Sequence, residues 1–261
     1  MNDKTKVAPF FCHEPEVFIA TGLAKPVGIA VDSTTKQVFY NQDDNSGGNH
    51  EWPLSVVGMD GKNGKTVIPK LLDPQGISVD TANQKVYYTE HHGRRVGVVD
   101  YDGKNQKVLH SFPEHNYPSD VAVDTAANKI FALVEGELST GHKLVSMDLE
   151  GKNMTVLKGD IVRSYGLTLD TAKKVVYYIN GGHGGFIGNV TYDGKHNGTV
   201  LEGLDWPYML DFDPVAKMLV FSTTGVGDGV IRTVTPDGLH VNQSLTLGFA
   251  PMGVKFGKVP L

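Results

Sequence analysis

Residues 74–90 read PQGISVDTANQKVYYTE, which is an apolar segment, a polar turn and a second apolar segment. Variants of the same unit recur at residues 26–42, 118–135, 164–180 and 207–223. The aspartate that ends the first apolar segment is spaced by 48, 44, 46 and 43 residues from one copy to the next. Internal repetition with a period of roughly 40 to 50 residues is typical of propellers and solenoids.

Each unit continues through two further short apolar segments. In the second copy these are separated by the turn YDGKNQ at residues 101–106, and they end in KVLH at 107–110. Asp-Gly between alternating apolar runs is the signature of a β-hairpin. Four segments per repeat, each too short for a helix and rich in Val, Ile and Tyr, predict the four strands of a propeller blade.

The ends of the chain supply parts of one more blade. PMGVKF at 251–256 matches the opening strand of a repeat, and EVFIATG at 16–22 matches a closing strand. Pairing them in one blade closes the ring and removes its exposed edges. We therefore predict an all-β, six-bladed β-propeller that forms a single domain over residues 1–261, with the last blade closed by N- and C-terminal strands.

The units resemble the YWTD repeats of six-bladed propellers related to low-density-lipoprotein-receptor domains. YYTE at 87–90 is the closest copy of that signature, and the likeness extends over nearly the whole chain. The other copies, FYNQ, FALV, YYIN and VFST, depart from it, and these 261 residues hold none of the receptor family's disulfide-rich modules. The resemblance therefore implies the fold, and we expect no receptor function from it.

Composition excludes several classes of partner. Charged residues make up 20% of the chain, the net charge is -5 and the isoelectric point is about 6.0. Such a charge balance favours neither nucleic acid nor an anionic membrane surface. No apolar stretch approaches the roughly 18 residues of a membrane span, so we expect a soluble protein.

The sequence gives two opposing indications of the cellular compartment. The N-terminus, MNDKTKVAPFF, lacks the apolar core of a signal peptide, and the lone Cys12 cannot form an internal disulfide. Both features predict a cytoplasmic protein. Four glycosylation sequons leave secretion open, at Asn153, Asn189, Asn197 and Asn242.

Loops at one end of the predicted channel carry most of the chemically interesting side chains. The innermost strand of each blade begins at that end, and the loops between second and third strands lie there as well. An aromatic cup with a few polar groups is the usual composition of a small-molecule site. The predicted substrate-binding residues are Trp52, Glu90, His115, Tyr117, Ser119, Trp206, Tyr208, Phe249 and Met252.

Four residues of the same loops are the predicted catalytic groups. Arg163 and Tyr165 lie on one loop, where they can donate hydrogen bonds to a carbonyl or enolate oxygen. His91 and His183 are suited to proton transfer near neutral pH. The structural alternative is that the arginine forms a surface ion pair and that the tyrosines only pack the channel.

The histidines of these loops could instead form a metal site. His50, His91 with His92, His142 and His183 could converge on Zn or Fe, with Glu90 or Glu114 as the carboxylate partner. The histidines come from different blades, however, and Gly-rich loops suit solvated histidines equally well. We expect no metal and no other cofactor.

Two enzyme families share the predicted fold. Gluconolactonase-like propellers hold a divalent cation with Glu, Asp and two Asn, whereas the inner-strand openings PVG, PQG, PSD, SYG and PYM contain no Asn. The chain is also similar, in size, fold and site character but without a diagnostic motif, to small propellers of fungal secondary metabolism. That likeness implies cofactor-free cyclisation of the hetero-Diels–Alder type.

We thus predict an enzyme that binds a small, largely apolar or aromatic substrate at the channel mouth and promotes cyclisation or a related non-redox reaction. The alternatives are a propeller that binds peptides or proteins without catalysis, and a lactonase-like metal-dependent hydrolase. The sequence leaves the oligomeric state open.

Overall fold

The computed structural model describes residues 26–42, 50–136, 141–225, 229–247 and 255. These residues form five four-stranded antiparallel sheets, each built from four consecutive strands. The first contains β1 (Pro26–Asp32), β2 (Gln37–Gln42), β3 (Glu51–Gly58) and β4 (Lys65–Leu72). The second contains β5 (Pro74–Asp80), β6 (Lys85–Glu90), β7 (Arg95–Asp100) and β8 (Lys107–Ser111).

The third sheet contains β9 (Tyr117–Asp124), β10 (Lys129–Glu135), β11 (His142–Met147) and β12 (Thr155–Ile161). The fourth contains β13 (Leu167–Asp170), β14 (Val175–Asn180), β15 (His183–Thr191) and β16 (Asn197–Asp205). The fifth contains β17 (Pro207–Asp213), β18 (Met218–Thr223), β19 (Gly229–Val234) and β20 (Val241–Leu247). The predicted all-β propeller with four strands per repeat is confirmed.

The predicted number of six blades is not confirmed, because the described residues form five. The segments assigned to the sixth blade, 16–22 and 251–256, lie outside the described residues except for Lys255. Each of the five blades is a run of adjacent hairpins with its own turn sequence. The sixth would join strands from opposite ends of the chain, which no local pattern specifies.

The repeated aspartate has a local structural role in every blade. Asp32 accepts hydrogen bonds from the backbone N–H groups of Thr34 and Thr35, at 2.9 and 3.2 Å. The equivalent aspartates accept from backbone N–H groups of the turn in the same way. The pairs are Asp80 with Asn83, Asp124 with Ala127, Asp170 with Ala172 and Lys173, and Asp213 with Val215 and Ala216. An Asp that binds the backbone two or three residues later stabilises a tight turn. The repeat signature therefore encodes the hairpin between the first two strands.

Packing between blades uses the same aspartates. The hydroxyl of Tyr101 donates to Oδ2 of Asp32 at 2.9 Å, and that of Tyr192 donates to Oδ2 of Asp124 at 3.2 Å. Each tyrosine follows the third strand of one blade and reaches the first strand of the preceding blade. Hydrogen bonds to buried charged acceptors are among the stronger ones, so these contacts tie neighbouring blades together.

The inner strands approach one another closely at one end of the channel. A Cβ atom on Gly28 would overlap the carbonyl oxygen of Gln75, so glycine is required there. The register of β1, β5 and β17 with their second strands is interrupted at this same end. Bulges of this kind re-aim side chains and are common beside functional sites. Among the residues described, no helix has the length and apolar character needed to cross a membrane.

Candidate functional site

A cluster of two imidazoles and two carboxylates lies where the second and third blades meet. We call Asp73, His91, His92 and Glu135 the acid–imidazole cluster. Oδ2 of Asp73 is 2.6 Å from Nδ1 of His92 and 3.3 Å from Nδ1 of His91. Nε2 of His91 is 3.5 Å from Oε2 of Glu135. His91 therefore lies between two carboxylates.

The backbone holds this cluster in place. Asp73 is the single residue between β4 and β5, and it adopts a left-handed conformation with φ of 52°. Its N–H donates to the carbonyl of His50 at 2.6 Å, and its carbonyl accepts from the N–H of His91 at 2.9 Å. The side chain of Gln75 donates to Oδ1 of Asp73 at 2.7 Å, which leaves Oδ2 facing the imidazoles.

Aromatic rings flank both histidines. Tyr117 stacks on His91 with ring centroids 5.1 Å apart, and His50 stacks on His92 at 4.5 Å. Trp52 meets His50 edge to face at 6.3 Å. The ring of His91 is therefore held between its neighbours, whereas the more exposed ring of His92 has room to shift.

The charges within the cluster reinforce one another. Burial lowers the pKa of His91, but contacts with Asp73 and Glu135 outweigh burial and raise that pKa to about 9. Burial raises the pKa of Asp73, whereas His91 and Gln75 lower it, and the net result is a lowered pKa. The cluster therefore carries an imidazolium at neutral pH.

A pair of tyrosines forms another part of the mouth. Tyr165 and Tyr208 stack with ring centroids 4.8 Å apart. They line a narrow cleft together with Val27, Gln75, Gly76, Ser119, Asp120 and Met209. Burial raises the pKa of Tyr208, and the charges of Glu135 and Asp73 raise it further. The tyrosine pair is therefore within electrostatic reach of the acid–imidazole cluster.

Asp120 lies at the base of this cleft and is fully buried. Its Oδ2 accepts a hydrogen bond from the N–H of Leu167 at 2.9 Å, and its Oδ1 accepts from the N–H of Val121 at 2.8 Å. Burial raises the pKa of Asp120 to about 6, although Lys255 opposes the shift. The side chain of Ser119 donates to the carbonyl of Ser164 at 3.2 Å, so both residues join the third blade to the fourth.

A third group of side chains forms an exposed rim on the fourth and fifth blades, which we call the rim cluster. The guanidinium of Arg163 lies 5.3 Å from the ring centroid of Trp206. The indole N–H of Trp206 donates to Nε2 of His183 at 3.2 Å, and Nδ1 of His183 is 2.9 Å from Oδ1 of Asp205. His183 and Asp205 are exposed, so this ion pair contributes little to stability.

The structure distributes the predicted residues over several environments. His91, Tyr117, Ser119, Tyr165 and Tyr208 lie at the mouth, and Trp52 lies beside it through His50. Arg163, His183 and Trp206 lie together in the rim cluster. His115 is an exposed loop residue with φ of 60°. Phe249 and Met252 lie outside the described residues.

Glu90 does not face the mouth. It is 0% exposed, and its carboxylate accepts hydrogen bonds from Nε and Nη2 of Arg95 at 2.6 and 2.8 Å. It also accepts from the N–H of Leu72 at 2.8 Å. The acceptor atoms of Glu90 are occupied within its own blade and its neighbour, so we assign it to the scaffold rather than to the site.

Sequence reasoning missed two members of the acid–imidazole cluster. Asp73 was overlooked because it stands alone before Pro74, 18 residues from His91. Its place immediately before an inner strand was the available signal. Glu135 ends β10, directly after the last buried position of the strand pattern, and no motif distinguishes it. The pairing of β5 with β6 brings Asp73 to the histidines, and the packing of the third blade on the second brings Glu135.

Comparisons with known proteins support the propeller fold. No family model matches the chain. The vitellogenin receptor of Solenopsis invicta is 24% identical, over 36% of this chain and 7% of the receptor. The chain thus spans a small fraction of the curated relative that it matches.

Solved structures are similar over most of the chain. A propeller in the nidogen/laminin complex has a TM-score of 0.71 at 18% identity, covering 87% of this chain and 80% of that one. The gluconolactonase of Xanthomonas campestris has a TM-score of 0.68 at 15% identity, covering 87% and 78%. The calcium-binding protein regucalcin of Agrobacterium tumefaciens has a TM-score of 0.65 at 11% identity, covering 85% and 74%. At these identities the likeness shows the β-propeller alone, a fold used by both enzymes and binding proteins.

Proposed function

We propose that the protein is an enzyme that binds a small organic substrate at the channel mouth and promotes a non-redox reaction there. The observation that carries this proposal is the geometry of the mouth, where a stacked Tyr165–Tyr208 pair lines a cleft and the acid–imidazole cluster holds His91 between two carboxylates. One side of the mouth offers aromatic faces, and another offers charged groups held by a rigid backbone. Apolar walls with a few convergent polar groups, one of them with a strongly shifted pKa, are typical of active sites.

The reaction class follows from the groups present. The exposed imidazole of His92 can donate a hydrogen bond to a substrate oxygen, and the hydroxyl of Tyr208 supplies a second donor. These groups suit the cleavage or formation of an ester, lactone or enol ether. Cyclisation of the hetero-Diels–Alder type falls within this range but has no specific contact in its favour. The likeness to a gluconolactonase favours the hydrolytic direction at the level of fold only.

The test is small-molecule binding and turnover with matched variants. Wild type, Tyr208→Phe, Arg163→Ala and His196→Asn are exposed to a panel of lactones, esters and phenolic compounds. Binding is measured by thermal shift and native mass spectrometry, and turnover by mass spectrometry of products. We expect Tyr208→Phe to lower turnover of any hit at least tenfold, and His196→Asn, on an exposed turn at the other end of the blade, to leave it unchanged.

A second candidate function is the recognition of a peptide or protein without catalysis. It is favoured by the exposed rim cluster, because Trp and Arg are enriched at the centres of protein interfaces. Under this alternative, Trp206→Ala and Arg163→Ala abolish binding to a partner while Tyr208→Phe has no effect. If no compound of the panel binds and the variants show that pattern, the protein is a binding protein and not an enzyme.

We also propose that residues 251–256 supply the inner strand of a sixth blade. Lys255 stands four residues after Pro251, as Asp211 stands four residues after Pro207, and Nζ of Lys255 is 3.7 Å from Oδ1 of Asp211. Equivalent positions of adjacent inner strands are expected to meet across the channel. A double-mutant cycle with Lys255→Met and Asp211→Asn should give a coupling energy of about 0.5–1 kcal/mol or more. Strict additivity would contradict the pairing.

A further inference from the structure

We propose that Asp73, His91 and His92 bind a divalent transition metal ion of the zinc type. This inference deepens the proposed function and rests on it for the use made of the metal, although metal binding can be measured without any substrate. The three side chains come from the loop between the first two blades and from the turn between β6 and β7. The antiparallel pairing of β5 with β6, which sets Pro74 opposite Glu90, brings Asp73 next to the turn that carries both histidines.

The donor atoms have suitable spacing. Oδ2 of Asp73 and one ring nitrogen from each of His91 and His92 all lie within 4.8 Å of one another. Two ligands on bonds of roughly 2.1 Å at a tetrahedral angle stand about 3.4 Å apart. The 3.3 Å between Asp73 and His91 meets this value. The 2.6 Å between Asp73 and His92 must widen by less than 1 Å, and the ring of His92 is 47% exposed and free to move outward.

The surroundings of the donors are those of a metal site. Nε2 of His91 faces Oε2 of Glu135 at 3.5 Å, which is the carboxylate–histidine arrangement that orients a ligating imidazole through its second nitrogen. Gln75 holds Oδ1 of Asp73 at 2.7 Å, so Oδ2 is directed at both rings. The backbone hydrogen bond from His91 to Asp73 fixes the distance between the two loops.

One of the three proposed donor atoms is not engaged in a hydrogen bond among the described residues. Nδ1 of His91 is buried and forms no hydrogen bond within the described part of the chain. A buried ring nitrogen without a hydrogen bond is costly unless another partner satisfies it. A metal ion shared with Asp73 and His92 would do so, in place of the proton on this nitrogen.

The donor set selects the kind of ion. Two imidazoles and one carboxylate suit Zn²⁺ and related first-row ions, whereas Ca²⁺ and Mg²⁺ prefer all-oxygen ligands. Three protein ligands leave a coordination position open, as in catalytic zinc sites. An ion there would supply a Lewis acid for a substrate oxygen in the mouth. The open position distinguishes this arrangement from a purely structural site, which is closed by four protein ligands.

The chain contains a matched control pair. His183 and Asp205 approach to 2.9 Å, much as His92 and Asp73 do, but no second imidazole joins them and the indole of Trp206 occupies the other ring nitrogen. This pair is expected to bind Zn²⁺ no better than an ordinary surface histidine. Substitutions at the two places therefore separate a built site from general histidine binding.

The experiment measures Zn²⁺ binding to the metal-free full chain by isothermal titration calorimetry and elemental analysis. Wild type should bind one Zn²⁺ at this site. We expect Asp73→Asn and His92→Gln to weaken its affinity at least 100-fold, and Glu135→Gln about 10-fold because its effect passes through His91. His183→Gln should leave the affinity unchanged. Co²⁺ in place of Zn²⁺ should give visible absorption bands of low-symmetry coordination, lost in His92→Gln.

The outcomes that overturn the proposal are specific. Equal Zn²⁺ affinity in wild type and His92→Gln, or a loss in His183→Gln as large as in His92→Gln, excludes the site. Because His92 is half-exposed, its variant should fold, and equal unfolding midpoints of the metal-free proteins verify this. If Zn²⁺ binds as expected but no compound is bound or turned over, the metal site remains and the proposed enzyme function fails. If compounds are turned over but Zn²⁺ does not bind at this site, the function remains and the metal proposal fails.

Discussion

Replacing Glu90 by Ala tests whether this residue belongs to the scaffold. Its carboxylate is fully buried and accepts three hydrogen bonds, two from Arg95 and one from the N–H of Leu72. Alanine removes all three acceptor contacts. The Leu72 N–H loses its partner, at a cost of about 1–3 kcal/mol. The Arg95 guanidinium is 35% exposed, so water replaces part of the ion pair, and its loss adds about 1–2 kcal/mol.

The expected destabilisation is therefore about 3 kcal/mol. For a domain of this size, each kcal/mol corresponds to roughly 2–4 °C in the unfolding midpoint, so Glu90→Ala should melt about 6–12 °C below wild type. The free energy of unfolding is obtained from urea denaturation followed by circular dichroism at 25 °C. The slope against urea concentration should not change, because the fold is retained.

Two comparisons make the measurement decisive. Glu202 is exposed on β16, and Glu202→Ala should stay within about 0.5 kcal/mol of wild type. Arg95→Ala should cost at least as much as Glu90→Ala, because it leaves a buried carboxylate without its partner. A Glu90→Ala protein as stable as the Glu202→Ala control would refute the scaffold role. Glu90 would then return to the group of substrate-binding candidates.

Two further predictions concern a buried acid and a glycine. The folded-state pKa of Asp120, about 6, lies above its ordinary value of 3.8. The protonated carboxyl therefore stabilises the fold fully below pH 3.8, and this contribution is lost as the pH rises through 6. The free energy of unfolding of wild type minus that of Asp120→Asn, measured by urea titration, should fall by about 2–3 kcal/mol between pH 4 and 7. A difference independent of pH would contradict this. Gly188 lies opposite Tyr178, whose ring would overlap an added Cβ, whereas a Cβ on Gly198 would meet its nearest neighbour at 3.5 Å. Gly188→Ala should lose about 1–3 kcal/mol in the same assay and Gly198→Ala less than 0.5 kcal/mol; equal losses would show that the ring moves aside.

The blades were predictable because their determinants are local. A repeated Asp accepts hydrogen bonds from the turn that follows it. An Asp-Gly pair reverses the chain between the third and fourth strands, as at Asp102 and Gly103. Each hairpin is specified within about ten residues. Four strands per repeat could therefore be deduced from periodicity alone. The sixth blade depends on pairing between distant ends of the chain, and its prediction is not confirmed.

The candidate site was only partly predictable. His91, Tyr165 and Tyr208 lie at the same end of the channel, since the position of a loop in the repeat determines the end at which it lies; their predicted roles stay a prediction. Glu90 was misassigned for a specific reason. It ends the strand just before the His-bearing turn, and its partners Arg95 and Leu72 are visible only after β4 and β7 have been placed on either side of it.

The sequence by itself determined the all-β class, the repeat and the face on which the chemically active loops lie, because hairpins and side-chain alternation depend on neighbouring residues. The tertiary structure alone decided which side chains meet. Asp73 and His91 are placed by the pairing of β5 with β6, but Glu135 belongs to the next blade, and its distance from His91 depends on how the two blades pack. A local pattern cannot encode such a distance, since it is the sum of many inter-blade contacts. The approach of Glu135 to His91 is for this reason a property of the packed blades rather than of either blade alone.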